Sequence, residues 1–220
     1  KYLCLHSWGG TADSFEMAKL AKLSGEPFYP ESTFDVPTEE FSNFLKQNGH
    51  PQEIIDMMKD FPHKTWRDGS EKFHSIPRHK VFKPKQKEEE GEDNKDDFIV
   101  QVPLEPWQQS LNKLIEFSEK NGPFDYVAGF SQGGYLAIML LLLAKKDPKK
   151  YKCFSNLKAA IIFGVPDIKF KEDELTELNT DEDQIEEEFN LTFSTKEKNT
   201  TPLFVLKGDK DQLTKNAADC

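Results

Sequence analysis

Residues 122–140, GPFDYVAGFSQGGYLAIML, set a serine between glycines at the end of one apolar run and ahead of another. The first run, "FDYVAGF" (124–130), is bounded by Gly and Pro and reads as a short buried strand; the second reads as a helix from Gln132 to about Lys145. Between them, Gly129-Phe130-Ser131-Gln132-Gly133 fits G-x-S-x-G, a tight strand-to-helix turn that holds a serine in a strained conformation. Flanking glycines relieve the crowding that such a turn creates. Ser131 then stands at a helix N-terminus, where the dipole and the backbone N–H of Gln132 point at the position of a developing oxyanion. The plainer reading of Ser131 is a helix N-cap, a role that serine favours.

Working outward, the chain alternates strands and helices. "KYLCL" (1–5) reads as a strand ending at the loop "HSWGG", followed by an amphipathic helix capped by Asp13. The segment "EPFYPESTFDVP" (26–37) reads as a brief edge strand running into a surface loop, and 38–60 as helical with a break at "NGHP" (48–51). "FIVQVP" (98–103) restores order before a helix from about Glu105 to Asn121, with Trp107, Leu111, Leu114, Ile115 and Phe117 on its inner face. "LKAAIIFG" (157–164) and "TPLFVLKGDKD" (201–211) read as further strands, the last closed by a Gly-Asp turn. This alternation predicts an α/β fold, a mostly parallel central sheet with helices on both faces. Two acidic stretches interrupt it: an irregular insert around 61–97 and a second around 171–190.

At 220 residues the chain is the size of one ordinary domain, and 1–220 is read as one. A formal charge of −10 disfavours nucleic acid and anionic membrane as primary partners. The acidic inserts read as solvated faces that a basic protein partner could use. Cys4, Cys153 and Cys220 are odd in number and show no paired metal or redox spacing, so a reducing, cytoplasmic location is expected. "YLAIMLLLLA" (135–144) is half the length of a membrane span and reads as a buried helix. The glycosylation sequons at Asn190 and Asn199 are read as chance, with no secretory signal ahead of them.

In an open parallel sheet, functional loops lie at the carboxyl ends of strands. Three stand out here: "HSWGG", "GFSQGG" and "GDKD". Together, "GPFDYVAGFSQGG", "LCLHSWGGTADSF" and "PLFVLKGDKD" resemble the FSH family of serine hydrolases, whose elbow pattern is GPFDG-x-x-GFSQGA. "EPW" (105–107) and "KTWRDG" (64–69) add to the likeness, which covers most of the chain outside the acidic inserts. The resemblance implies an α/β-hydrolase fold with a serine, aspartate, histidine triad that cleaves carboxylic esters or related acyl compounds, without cofactor or metal. It identifies Ser131 with the nucleophile and Asp211, rather than Asp209, with the triad acid. It also implies an oxyanion hole built from the backbone N–H groups of Trp8 and Gln132. Ser7 stands where the family has glycine, and His6 is read as a residue that orders this loop by hydrogen bonding.

The triad order of this fold puts the histidine after the acid. His6, His50, His63, His74 and His79 all precede Ser131, so the resemblance implies a domain whose C-terminal end lies past Cys220. A base from the insert, His74 or His79, and a degenerate enzyme are the alternatives. The leading expectation is a serine hydrolase acting on a small acyl ester or thioester through an acyl-enzyme on Ser131. The other is a catalytically silent hydrolase-like domain kept as a binding or structural subunit.

Overall fold

The computed structural model describes residues 1–18, 25–68, 80–83, 99–164, 175–177, 190–194 and 201–206. Strand β1 (Tyr2–Leu5) leads to helix α1 (Ala12–Ala18) and the short strands β2 (Pro27–Phe28) and β3 (Phe34–Asp35). Helices α2 (Thr38–Gln47) and α3 (Gln52–Met58) precede β4 (Lys64–Thr65), β5 (Lys80–Lys83) and β6 (Ile99–Pro103). A 3₁₀ turn over Glu105–Trp107 opens helix α4 (Gln108–Asn121), followed by β7 (Tyr126–Phe130) and helix α5 (Gln132–Lys146). Then come β8 (Ala159–Phe163), β9 (Leu175–Glu177), β10 (Asn190–Ser194) and β11 (Leu203–Leu206).

The central sheet has the strand order β11-β8-β7-β1-β2, and every pairing in it is parallel. From β1 the chain first winds outward to β2, then returns to β7 on the other side of β1 and continues to β8 and β11. The winding reverses between β1 and β7, and in open parallel sheets the crevice beyond such a reversal is where ligands bind. Leu5 and Gly129 are register partners there. The two loops that continue from them, 6–10 and the turn at Ser131, therefore start side by side.

Period-two alternation divides the strands between two faces. Leu3, Leu5, Val127, Ala160 and Ile162 join Leu111, Leu114, Leu136 and Leu140 of α4 and α5 in the main core. Cys4, Ala128 and Ile161 face the other way, against Phe15 of α1 and Tyr29. Helix α5 buries side chains on several sides, including Leu136, Met139, Leu140 and Leu143, as a helix wedged inside a domain must. A third, smaller cluster packs α2 against α3 through Val36, Phe41, Leu45 and Ile55. Among the described residues no helix is long and apolar enough to cross a membrane.

Three expectations change. Helix α1 is capped by Thr11, not Asp13: Ser14 N–H donates to Thr11 Oγ1 at 3.1 Å and Thr11 N–H to Ser14 Oγ at 2.8 Å, a reciprocal arrangement that satisfies two donors at once. Strand β6 does not extend the parallel sheet, as the alternation of strand and helix suggested. It pairs antiparallel with β10 and β5 in a separate sheet of order β10-β6-β5-β9. The inserts are not wholly irregular either, because β4 and β5 fall in the first and β9 in the second. Strands as short as these carry too little periodicity to register in sequence.

The start of α5 packs directly on the end of β1. A Cβ on Gly133 would run into the carbonyl oxygens of Leu5 and His6, backbone atoms that cannot swing aside. Gly133→Ala is therefore expected to cost about 1–3 kcal/mol, the usual range for overpacking, and to lower Tm by about 2–12 °C for a chain of this size. An unchanged Tm in calorimetry would show that helix and strand can separate without penalty.

Candidate active site

Ser131 has φ 51° and ψ −114°, and it is the only non-glycine residue with positive φ among those described. Side chains rarely occupy that region because Cβ crowds the backbone; such a residue costs on the order of 1–3 kcal/mol and persists where its surroundings over-determine it. Here they do. A Cβ on Gly129 would meet the backbone of Gly133 and Gly134, so both glycines of the pentapeptide are demanded by close approach. Ser131 N–H donates to Phe163 O at 2.8 Å, tying the turn to the end of β8, and Tyr135 N–H closes the first helical turn on Ser131 O at 3.0 Å.

The hydroxyl of Ser131 makes no capping bond to α5, and its backbone is far from the extended conformation of an ordinary N-cap. The capping reading fails on both counts. What the turn provides instead is a half-buried serine at the N-terminus of a 15-residue helix, beside backbone N–H groups that have no acceptor within the helix.

Across the crevice, loop 6–10 is fixed at several points. Trp8 packs its ring on Phe41 and Phe44 of α2, at 5.4 and 5.1 Å between centroids. Gly9 supplies the loop's left-handed turn at φ 74°, with the Phe41 ring where a side chain would go. Ser7 does not have positive φ, so a side chain there imposes no backbone strain. Ser7 O accepts from Gly10 N–H at 3.1 Å and lies 2.8 Å from His6 Nδ1.

His6 is buried, and its Nε2 lies 3.1 Å from Glu31 Oε1, an ion-pair distance with the N–H off the line of a true hydrogen bond. Glu31 also accepts from Ser32 N–H at 3.1 Å and Ala12 N–H at 3.4 Å. Burial, the largest single influence, raises the Glu31 pKa, but the adjacent His6 imidazole and the two backbone N–H groups together outweigh it and hold the carboxyl below its ordinary value. His63 is buried as well, with Nδ1 3.2 Å from Gly9 O, Nε2 3.0 Å from Met58 O and its ring stacked on Phe41. Two buried imidazoles thus bracket Trp8.

A third element joins the two loops. Trp66 is fully buried; its indole N–H donates to His6 O at 2.8 Å and its backbone N–H to Gln132 Oε1 at 2.9 Å. Thr65 Oγ1 lies 3.0 Å from the same Gln132 oxygen. Gly9 N–H donates to Lys64 O at 2.8 Å. Trp66 falls in the KTWRDG segment that carries part of the family likeness, whereas Glu31 and His63 carry no local pattern that would single them out, and nothing in that segment marks the Thr65 hydroxyl.

Of the expected site residues, Trp8 and the pair Ser131 and Gln132 lie on loops that start side by side from the register partners Leu5 and Gly129. Asp211 and Asp209 lie outside the described residues, as do His74 and His79. The described histidines are not arranged as a base for Ser131: His6 and His63 direct their ring nitrogens at other oxygens, and His50 is exposed after the end of α2. Tyr135 and Cys4 are unsuited to the role as well. Burial pushes the Tyr135 phenol up to about 12, against a smaller opposing effect of Arg67, and the Cys4 thiol up to about 11, against a backbone hydrogen bond. Neither ionises near neutrality. Among the described residues no group of three or more His, Cys, Asp or Glu is placed to hold a metal ion.

A family model described as serine hydrolase (FSH1) matches residues 1–219, nearly the whole chain. Searches of curated proteins and of solved structures gave no match.

The Glu31 contact gives a pH-dependent expectation. A carboxyl whose folded pKa is depressed contributes stability above its unfolded value, here 4.5, and loses that contribution as pH falls through the lower folded value. Glu31→Gln is therefore expected to lower Tm at about pH 6, and the gap from the parent to close as pH falls below 4.5 and through the lower folded value. Solvent screening of this half-exposed carboxylate keeps the gap to about 3 °C or less. A gap of equal size at about pH 3 would mean that the charge is not engaged.

Proposed function

Because the chain belongs to the FSH1 family of serine hydrolases, we propose that it cleaves small carboxylic esters or thioesters through an acyl-enzyme on Ser131. The observation that carries this reading is the backbone of Ser131, strained at φ 51° with its hydroxyl spent on no capping bond. A residue held in that state by surrounding glycines and by Phe163 has no structural use for the strain; presenting a nucleophile is the use that fits.

In the proposed reaction Ser131 Oγ attacks the acyl carbon while a base accepts its proton. The carbonyl oxygen becomes an oxyanion received by the N–H groups of Gln132 and Trp8, and the alcohol or thiol leaves with a proton returned by the base. Water, activated by the same base, then adds to the acyl-enzyme and releases the acid. Fixed N–H donors of this kind are worth about 3–4 kcal/mol each in the transition state. Asp211 is assigned the role of the acid that orients the base. The base itself is assigned to a histidine outside the described residues, since His6, His50 and His63 are placed elsewhere. No step calls for a cofactor or metal.

That same placement of the described histidines is what favours the second reading, a silent hydrolase-like domain that binds without turning over. A fluorophosphonate probe, which reacts only with an activated serine, distinguishes the two. The proposal expects the protein to be labelled and Ser131→Ala to abolish labelling. A protein that stays unlabelled while folded would support the silent domain.

A further inference from the structure

We infer that Thr65 and Trp66 are positioning residues that set the separation of the two oxyanion N–H groups, an inference that rests on the reading of Gln132 and Trp8 as those donors. Neither residue touches the reacting atoms in this view; they act through what they hold.

Strand β4 and the residue after it reach both walls of the crevice. On the helix wall, Trp66 N–H and Thr65 Oγ1 converge on one side-chain oxygen of Gln132, at 2.9 and 3.0 Å. A backbone N–H can only donate, so the Gln132 atom that faces it must be the oxygen, and the orientation of the amide follows. Thr65 has a single hydroxyl proton to give. It goes to Gln132 Oε1 rather than to Arg67 O at 3.4 Å, leaving the hydroxyl oxygen to accept from Arg67 N–H at 3.3 Å.

On the loop wall, the same short segment holds the chain on both sides of Trp8. The Trp66 indole N–H fixes His6 O at 2.8 Å, and Lys64 O accepts from Gly9 N–H at 2.8 Å. The His6 and Trp66 rings pack 4.8 Å apart, which resists rotation of the peptide that follows His6. Trp8 is thus suspended between two points pinned by 64–66, and Gln132 is pinned by the same residues from the opposite side. Thr65 is 3% exposed and Trp66 0%, so these bonds are made away from competing water. Asp68 N–H, bonded to Pro106 O at 2.8 Å, ties the far end of the segment to the turn before α4.

An oxyanion hole works only if its donors are in place before the charge develops, and small misplacements are costly in rate. Thr65 is the cleaner residue to test, because Thr65→Val removes the hydroxyl with little change of shape whereas loss of the indole would open a cavity. Hydrolysis of a short-chain p-nitrophenyl ester should show kcat reduced about 10-fold in Thr65→Val, below the 10²- to 10³-fold loss of a whole donor, with KM within about twofold. Thr65→Ser, which restores a hydroxyl, should recover most of the rate. In Gln132→Met, which lacks the acceptor but keeps the backbone N–H, adding Thr65→Val should cost nothing further. The amide ¹⁵N–¹H cross-peak of Gln132 should move in Thr65→Val and return in Thr65→Ser.

Thr65→Val with kcat within twofold of the parent, or a loss that Thr65→Ser does not recover, would overturn the inference. If the parent protein hydrolyses no ester and takes up no phosphonate, the functional reading fails and the spectra judge the contact alone. A Gln132 cross-peak unmoved in Thr65→Val then overturns the positioning role, and one that moves and returns supports it.

Discussion

The left-handed backbone of Ser131 is the constraint around which the crevice is arranged. It exists because α5 begins so close to β7 and β1 that neither Gly129 nor Gly133 has room for a Cβ. That closeness follows from the parallel pairing of β1 with β7, which brings Leu5 level with Gly129 and lets α5 drop onto the carbonyl ends of β1. A strained residue costs on the order of 1–3 kcal/mol, which the surrounding packing must offset. The main core, with Leu3, Leu5, Val127, Leu136 and Leu140 all fully buried, lies directly beneath it.

Around this turn the polar groups of three chain segments meet, and most of the bonds are made by backbone atoms. His6 O, Ser7 O, Gly9 O, Gly9 N–H and Trp66 N–H all take part. Such contacts depend on chain path more than on side-chain identity, and Ser7 is accommodated because its backbone remains on the ordinary side of φ. Buried side chains then fix the path: His6 with Glu31 behind it, His63 against Phe41, and Trp66 between the walls. Paired, hydrogen-bonded polar groups are tolerable in a low-dielectric interior, and left unpaired they are costly.

Much of the architecture is visible in the one-dimensional pattern. The runs ending at Phe130 and Phe163 are continuous and apolar because a central parallel strand is covered on both faces, and α5 reads as a buried helix for the same reason. The elbow is legible because glycine, serine and glycine sit at spacing that few other turns need. What is hidden depends on contacts distant in sequence. Nothing around Thr65 announces that its hydroxyl meets Gln132, 67 residues away, and nothing near Glu31 announces His6. Strand β6 misleads because its neighbours alternate as in a parallel unit, while its partners are β5 and β10. Asp13 misleads for a local reason: it lies two residues past a better cap, Thr11 with Ser14.

Hydrolysis through Ser131 leaves a covalent trace that neither a capping serine nor a silent domain can leave. Acid-quenched mass spectrometry during turnover of a short-chain ester is the most direct measurement of it. An acyl-enzyme adds the mass of one acyl group to the peptide that contains Ser131, and the addition disappears when ester is exhausted. Turnover with no acylated Ser131 peptide, or with the acyl group on another residue, would contradict the assignment of this strained serine as the nucleophile.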